Sequence, residues 1–446
     1  MPDTPTDRLA SFVADLQLAA VPAAAVQHAI VVVRDTLGTL LAGMAQPENA
    51  ALAASVGVLG GPGAATVAGS GLRTVPHVAA LVNATAAVTL ELDEGNQFAV
   101  NHPSVHVLPA ALAVAEAQGA SGRQLLEAFI AGYEAAVRVG GATRLRDAVH
   151  PFGTTAIVGA AAAAAKLQGL AADEVAAVLR LAAGMAVASS QSAANAGASV
   201  RNVGTGLTAH NGVLAVALHA AGFTGEREAL ERVFGQVLGT GWPDAALDGS
   251  PDGLYITRNY FKLHACSRWN HAPIEAAAAL MADGSVAAED IDRVVVWTYD
   301  PAVRLAGRAP TNGYAAKHSI PYNVAAQLVR GANDLDAYTD EAVTDPAVRD
   351  MSARVAVRED PQLTALLPGI RAARVELTLT DGRTLTARED TAPGGFDNPY
   401  DLEVLETKFR RLAGLTLPED RVEDLLAVCA GLVDLPRVDQ LTDLLR

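Results

Sequence analysis

From residue 5 to about residue 260 the chain is written in small apolar residues at helical spacing, broken by Gly and Pro, with almost no stretch that alternates as a strand does. Gly159 followed by an unbroken alanine run to Ala165 is the extreme case. Such residues favour helix and, lacking bulk, let helix axes approach closely, which constrains this region to a many-helix bundle. Helix starts are legible within it. Pro22 opens the run Ala23 to Gly43. Ser121 and Gln124 form a capping box ahead of Leu125 to Val139, hydroxyl and amide satisfying N–H groups that the first turn leaves open. Asp173 to Ala183 and Thr208 to Ala220 carry the same spacing.

Near residue 285 the pattern changes. Asp292 to Tyr299 is rich in β-branched and aromatic residues, and Arg374 to Ala387 alternates on both sides of Asp381-Gly382, a type I′ hairpin signal. Ser319 to Gly331 and Asp340 to Val355, between these strands, read as helices, and helical text resumes at Leu402. The expected fold is mainly α: a large all-helical bundle domain over residues 1–264, with 396–446 returning to it, and a smaller α+β domain over 265–395. The competing placement packs the tail on the small domain.

Composition narrows the function. Lys and Arg number 33 against 49 Asp and Glu, a net charge of −16, which argues against a nucleic-acid partner because phosphate binding needs a basic face. The longest apolar run, Ala156 to Ala165, falls short of the roughly 18 residues a membrane span requires, so no membrane association is expected. An acidic residue at position 3 with no apolar segment behind it lacks the charge order of a signal peptide, and a cytoplasmic address is expected. Two cysteines, Cys266 and Cys429, cannot build a disulfide framework or hold an iron–sulfur cluster by themselves.

Reactive side chains concentrate in the polar loop Glu91 to His106, between a helix expected to end near Leu90 and one expected to begin near Pro109. His102 and His106 are four apart, as two metal ligands on one helix face would be, but Pro103 opposes a helix running through both. Asp93 and its neighbouring carboxylates mark His102 as a candidate for chemistry. His150 precedes Pro151-Phe152-Gly153 and a small-residue helix whose positive end would keep an imidazole neutral. Arg201 lies in a polar stretch, Ala198 to Gly206, expected to be irregular, where it could hold a carboxylate bidentately. Gly204-Thr-Gly-Leu-Thr-Ala209 has no strand before it and is rejected as a dinucleotide site. Phe261 to His271 packs Lys262, His264, Cys266, an arginine and His271 at the expected domain boundary, where clefts form; Cys266 is either a nucleophile beside a histidine or a buried inert thiol.

Asp93, His102-Pro-Ser, His150-Pro-x-Gly-Thr, Arg201-Asn, Phe261-Lys262 with Cys266 and His271, and His318-Ser-Ile-Pro-Tyr322 follow one another in an order that resembles the MmgE/PrpD family. That family includes 2-methylcitrate dehydratase, cis-aconitate decarboxylase and iminodisuccinate epimerase. Asn398-Pro and Lys408-Phe-Arg410 extend the resemblance over nearly the whole chain. It implies a homodimer with a helical large domain and an α+β small domain, no cofactor and no metal, and a small di- or tricarboxylate substrate. It further implies proton transfer by His102 and His150, with Asp93 orienting a histidine, and carboxylate binding by Arg201, Lys262 and His271. Asn96, Cys266 and Tyr322 would add substrate contacts. Departures from the family pattern are Arg201 and Gly204, where the decarboxylase and epimerase carry Lys and a nearby His, and His264-Ala265 in place of Tyr-Pro.

The implied activity is a metal-independent lyase of the dehydratase type, taking a proton next to a carboxylate with His150 or His102. An epimerase or a decarboxylase ranks next. The competing classes are a metal-dependent hydrolase built on His102, His106 and Asp93, and a non-catalytic dimeric scaffold.

Overall fold

The computed structural model describes residues 4–99 and 101–446. At the centre of its larger core lies the helix Ala156–Leu167, whose residues Ala156 to Ala165 are all buried. A helix apolar on every side can exist only when wrapped by others. Here Pro103–Gln118, Gly122–Gly141, Ala172–Ala183 and Val200–Ala220 surround it. Small residues make this closeness possible. A Cβ on Gly132 would stand 2.5 Å from the Gly159 carbonyl oxygen, so the two helix backbones touch where both residues are glycine.

The helix Ala23–Met44 is long and apolar enough to cross a membrane by length and composition, yet 78% of its apolar window is buried inside the protein. Part of that cover comes from the other end of the chain. The helix Leu402–Ala413 lies against Ala23–Met44, and a Cβ on Gly38 would stand 3.0 Å from Phe409 Cδ2. Phe409 is fully buried, and truncating such a side chain to alanine costs about 3–5 kcal/mol. Beside it Lys408 Nζ meets Asp35 Oδ1 at 2.5 Å and donates to the Leu92 carbonyl at 2.7 Å. The C-terminal segment from Leu405 to Leu445 thus shares the first core, and it braces the loop that follows the helix Pro76–Val88.

A second core forms around a four-stranded sheet in the order Val355–Glu359, Ile291–Thr298, Ala373–Leu379, Thr384–Glu389. The first pair is parallel and the others antiparallel. Val294 and Val296 on one strand, with Val375 and Leu377 on the next, turn inward at period two beneath the helices His271–Met281 and Ile320–Arg330. The fold is mainly α, as expected.

Local details differ from expectation. The helix bearing His106 begins at Pro103, not near Pro109: Pro103 already fills the first helical position, and Pro109 is accommodated inside. The Val200–Ala220 helix starts eight residues before Thr208, which puts Arg201 in a helical first turn rather than an irregular stretch. Asp340 to Val355 is split into Asp340–Thr344 and Pro346–Arg354, because Asp345 accepts from the Ala347 N–H at 2.9 Å and caps a new helix at Pro346. In the hairpin only Gly382 has positive φ, +88°, with its N–H on the Leu379 carbonyl, so the turn is type I followed by a glycine and not type I′.

Candidate active site

The loop after Pro76–Val88 is built around charge. Glu91 has φ of +57°, a left-handed conformation that costs a non-glycine residue about 1–3 kcal/mol and persists only where its surroundings over-determine it. Two cations do so. Glu91 Oε1 is ion-paired with Arg201 and Oε2 lies 3.6 Å from Lys262 Nζ, which in turn lies 3.2 Å from Asp93 Oδ1. All four residues are buried. Burial pushes the Glu91 and Asp93 carboxyls up, but Arg201 and Lys262 at Glu91, and Lys262 and His102 at Asp93, hold both below the usual carboxylate range. The cluster contains two cations and two anions, so Arg201 and Lys262 are already neutralised.

The other Asp93 oxygen, Oδ2, stands 2.7 Å from His102 Nδ1. A proton held there leaves His102 Nε2 as an acceptor, and Tyr260 O–H points to it at 3.3 Å. Burial lowers the His102 pKa from its usual 6.5, Asp93 opposing, which keeps the ring neutral near pH 7. His102 is positioned from both sides: its backbone N–H donates to Asn101 Oδ1 at 2.6 Å, and Glu94 pins the helix that follows by accepting from the Ser104 N–H at 3.0 Å. Tyr260 pairs through its backbone with Gly95, where a Cβ would strike the phenol; only glycine fits.

His102, His150, Phe152 and Tyr260 line one side of a partly open hollow. Arg268, Trp269, His318 and Arg371 face them from the second core. The Phe152 ring lies edge-on to His102, at 4.5 Å between centroids, and to His150, at 4.9 Å, with the Arg201 guanidinium 4.1 Å from its centre. His150 sits in a short strand pair, Val149–His150 with Ser189–Ser190, and its Nδ1 accepts from the Phe152 N–H at 3.2 Å. The neutral ring therefore carries its proton on Nε2 and offers a donor. Burial, then Arg201 and His318, hold its pKa well below 6.5; these, rather than the helix end expected from sequence, keep it neutral. His318 Nδ1 donates to the Tyr314 carbonyl at 3.0 Å, leaving Nε2 bare, and burial brings its pKa to about 4. An imidazole acceptor backed by a carboxylate, beside a neutral imidazole donor, can take a proton and stabilise the charge left behind.

Other residues singled out from sequence lie away from the hollow. Asn96 donates to the Tyr255 carbonyl at 2.9 Å and shapes the loop. The Tyr322 hydroxyl donates to the Ala337 carbonyl at 2.5 Å inside the second core. Cys266 is buried and its thiol is pushed up to about 12 by that burial, the state of an inert thiol and not a nucleophile. His271 stands behind the wall, its Nδ1 accepting from Arg268 Nη1 at 3.2 Å. His106 Nδ1 donates to the His102 carbonyl at 2.8 Å, so the two histidines do not converge. Among the described residues no three His, Cys, Asp or Glu side chains gather as metal ligands would. Sequence reasoning misses Tyr260, Arg371 and the pairing role of Glu91. Tyr260 and Glu91 adjoin or open motifs visible in the sequence, whereas Arg371 has no local signal.

A mainly helical core and a core built on a mixed sheet meet at this polar hollow. The chain belongs to the MmgE/PrpD family: residues 7–242 match the MmgE/PrpD N-terminal domain and residues 264–432 the C-terminal domain. It is 30% identical over 398 residues to cis-aconitate decarboxylase of Homo sapiens, spanning 84% of this chain and 80% of that protein. Cis-aconitate decarboxylase of Aspergillus terreus is 28% identical over 414 residues, 86% of this chain and 84% of the relative. The mitochondrial 2-methylcitrate dehydratase of Yarrowia lipolytica is 28% identical over 208 residues, 44% and 40% respectively. The chain is a lyase, of the decarboxylase or dehydratase kind.

Proposed function

We propose that this lyase acts on a small di- or tricarboxylate by proton transfer at a carbon next to a carboxylate, without metal or cofactor, with His102 as the base. The observation that supports the reading is the Asp93–His102 contact of 2.7 Å, which favours a proton on Nδ1 and so an unprotonated Nε2 on an imidazole that lines the hollow. In the dehydratase form of the reaction, His102 Nε2 takes the proton from carbon, the electron pair forms the double bond, and the hydroxyl on the next carbon departs. The leaving hydroxide recovers the proton from the His102 imidazolium, so water is released and the imidazole returns neutral. His150 Nε2–H serves as a fixed donor to negative charge building on the substrate, the role a neutral imidazole can fill.

A second reading is favoured by the relatives that span 84–86% of this chain, which are cis-aconitate decarboxylases. In that form a carboxylate leaves as carbon dioxide, and the resulting carbanion takes a proton from the minor protonated form of His102, which solvent water replenishes. We further propose a homodimer; Val200, Val203 and Leu207, exposed at helical spacing on one face, support a contact there. Incubation with 2-methylcitrate, citrate and cis-aconitate, following the unsaturated product by proton NMR and carbon dioxide by trapping, tests both forms. Water loss from a hydroxy acid supports the first and gas release the second. Neither reaction on any of them, or loss of activity upon chelation with EDTA, contradicts the proposal.

A further inference from the structure

Two cations line the hollow and others stand behind it. Arg201 and Lys262 rest on Glu91 and Asp93. Arg268 and Arg371 line the hollow itself, and among the described residues neither has a carboxylate within ion-pair distance. Arg268 is held by neutral acceptors: Nη1 donates to the Pro393 carbonyl at 2.8 Å and to His271 Nδ1 at 3.2 Å, and Nη2 to the Ala392 carbonyl at 2.6 Å. Arg371 Nη2 donates to the Gln97 carbonyl at 3.2 Å. Both guanidiniums approach one ring, with Cζ 4.9 Å from the Tyr260 centroid for Arg268 and 5.9 Å for Arg371. Asp397 lies near Gly395, beside Arg268, yet makes no ion pair with it. In a chain of net charge −16, two arginines fixed on carbonyl oxygens and a ring, side by side on one wall, are set to receive an anion that the protein does not itself provide.

We propose that Arg268 and Arg371 form the carboxylate clamp of this enzyme, and that Arg201 and Lys262 instead hold the Glu91–Asp93 loop in place. The inference rests on the lyase reading above and assigns its binding residues. Tyr260 links the clamp to the chemistry, because its hydroxyl meets His102 Nε2 at 3.3 Å while its ring carries the two guanidiniums. A carboxylate held by the pair has its neighbouring carbon beside the base. A substrate with two or more carboxylates is favoured over a monocarboxylate, since two guanidiniums with no protein carboxylate paired to them attract the higher negative charge.

The test is a binding titration on the full chain, using tryptophan fluorescence, to which Trp269 on the hollow's wall contributes, and three probes: citrate, cis-aconitate and acetate. Arg371→Gln, Arg371→Lys and Arg268→Lys are compared with the unaltered protein, their folding checked by circular dichroism. Citrate or cis-aconitate is expected to bind the unaltered protein and acetate far more weakly. Arg371→Gln is expected to weaken binding by about tenfold or more and to flatten its salt dependence, with Arg371→Lys in between. Arg268→Lys, which keeps a cation but loses the planar fork, serves where a neutral substitution would disturb the Ala392 and Pro393 contacts. Unchanged affinity in the Arg371 and Arg268 variants, with the unaltered protein binding citrate or cis-aconitate, overturns the clamp and leaves the lyase reading standing. No polycarboxylate binding by the unaltered protein overturns both.

Discussion

Asp93 Oδ2 and His102 Nδ1 meet at 2.7 Å inside the protein, while the other Asp93 oxygen is held by Lys262 at 3.2 Å. One carboxylate thereby favours the imidazole tautomer protonated on Nδ1 and keeps its own charge. The contact determines which nitrogen faces substrate, and it ties the chemistry of the base to the charged groups around it.

Asp93→Asn is expected to lower kcat by about 10²–10⁴, because the amide no longer selects the tautomer with Nε2 unprotonated. The sign of the accompanying pH change follows from the base role. Burial lowers the His102 pKa from 6.5 and Asp93 raises it part of the way back, so the acid limb of kcat/KM lies below pH 6.5 in the unaltered enzyme. Removing the carboxylate takes away the raising effect, and the limb moves to lower pH. An unmoved limb in the pH–rate profile contradicts the assignment.

His150→Gln keeps an N–H donor and is expected to retain more activity than His150→Ala, which should lose about 10²–10³ in kcat. Because burial, Arg201 and His318 hold His150 neutral well below pH 6.5, neither variant should shift the acid limb. A shift in either profile would show that His150, not His102, is the titrating base.

Glu91→Gln leaves Arg201 and part of Lys262 without their partner, and breaking a buried ion pair on one side costs about 3–5 kcal/mol, read by urea unfolding at pH 7. The pH sense is fixed by the lowered carboxyls. The stability that Glu91 and Asp93 contribute is present above their ordinary values of 4.5 and 3.8 and is lost as the pH falls through their lower folded values. Glu91→Gln should remove part of that acid sensitivity; a variant as stable as the parent would show that the charge cluster does not hold the loop.

Much of this site is legible in the amino-acid sequence alone. Asp93, His102 and His150 stand out because a polar residue inside an apolar helical chain, next to a turn, has few structural reasons to be there. The cations read the other way round, since a sequence displays Arg201 and Lys262 but not the partners that neutralise them, even though Glu91 opens the same loop as Asp93. Arg371 and Tyr260 reach the hollow only when the mixed-sheet module meets the helical body, a relation between distant residues that no local spacing encodes. Helix starts are misplaced at Pro103 and Val200 because more than one residue nearby satisfies the same start rule.

Glu94 and Glu134, both buried, give the opposite pH trend. Burial raises each from 4.5 to about 7. Between those values the folded chain binds protons that the unfolded chain has released, so stability should fall by a few kcal/mol from pH 4.5 to 7 and flatten above pH 8. Unfolding midpoints in urea across that range check it, and Glu134→Gln should reduce the slope. A flat profile would mean that these carboxyls ionise normally.

On the proposed mechanism His102 moves a proton at a carbon beside a carboxylate. The direct measurement is proton NMR in heavy water of the unaltered enzyme and His102→Gln with 2-methylcitrate, citrate and cis-aconitate. Turnover or solvent deuterium at that carbon is expected with the unaltered enzyme, and a loss of at least about 10³ in the folded variant. A folded His102→Gln that turns over within tenfold of the parent would contradict it.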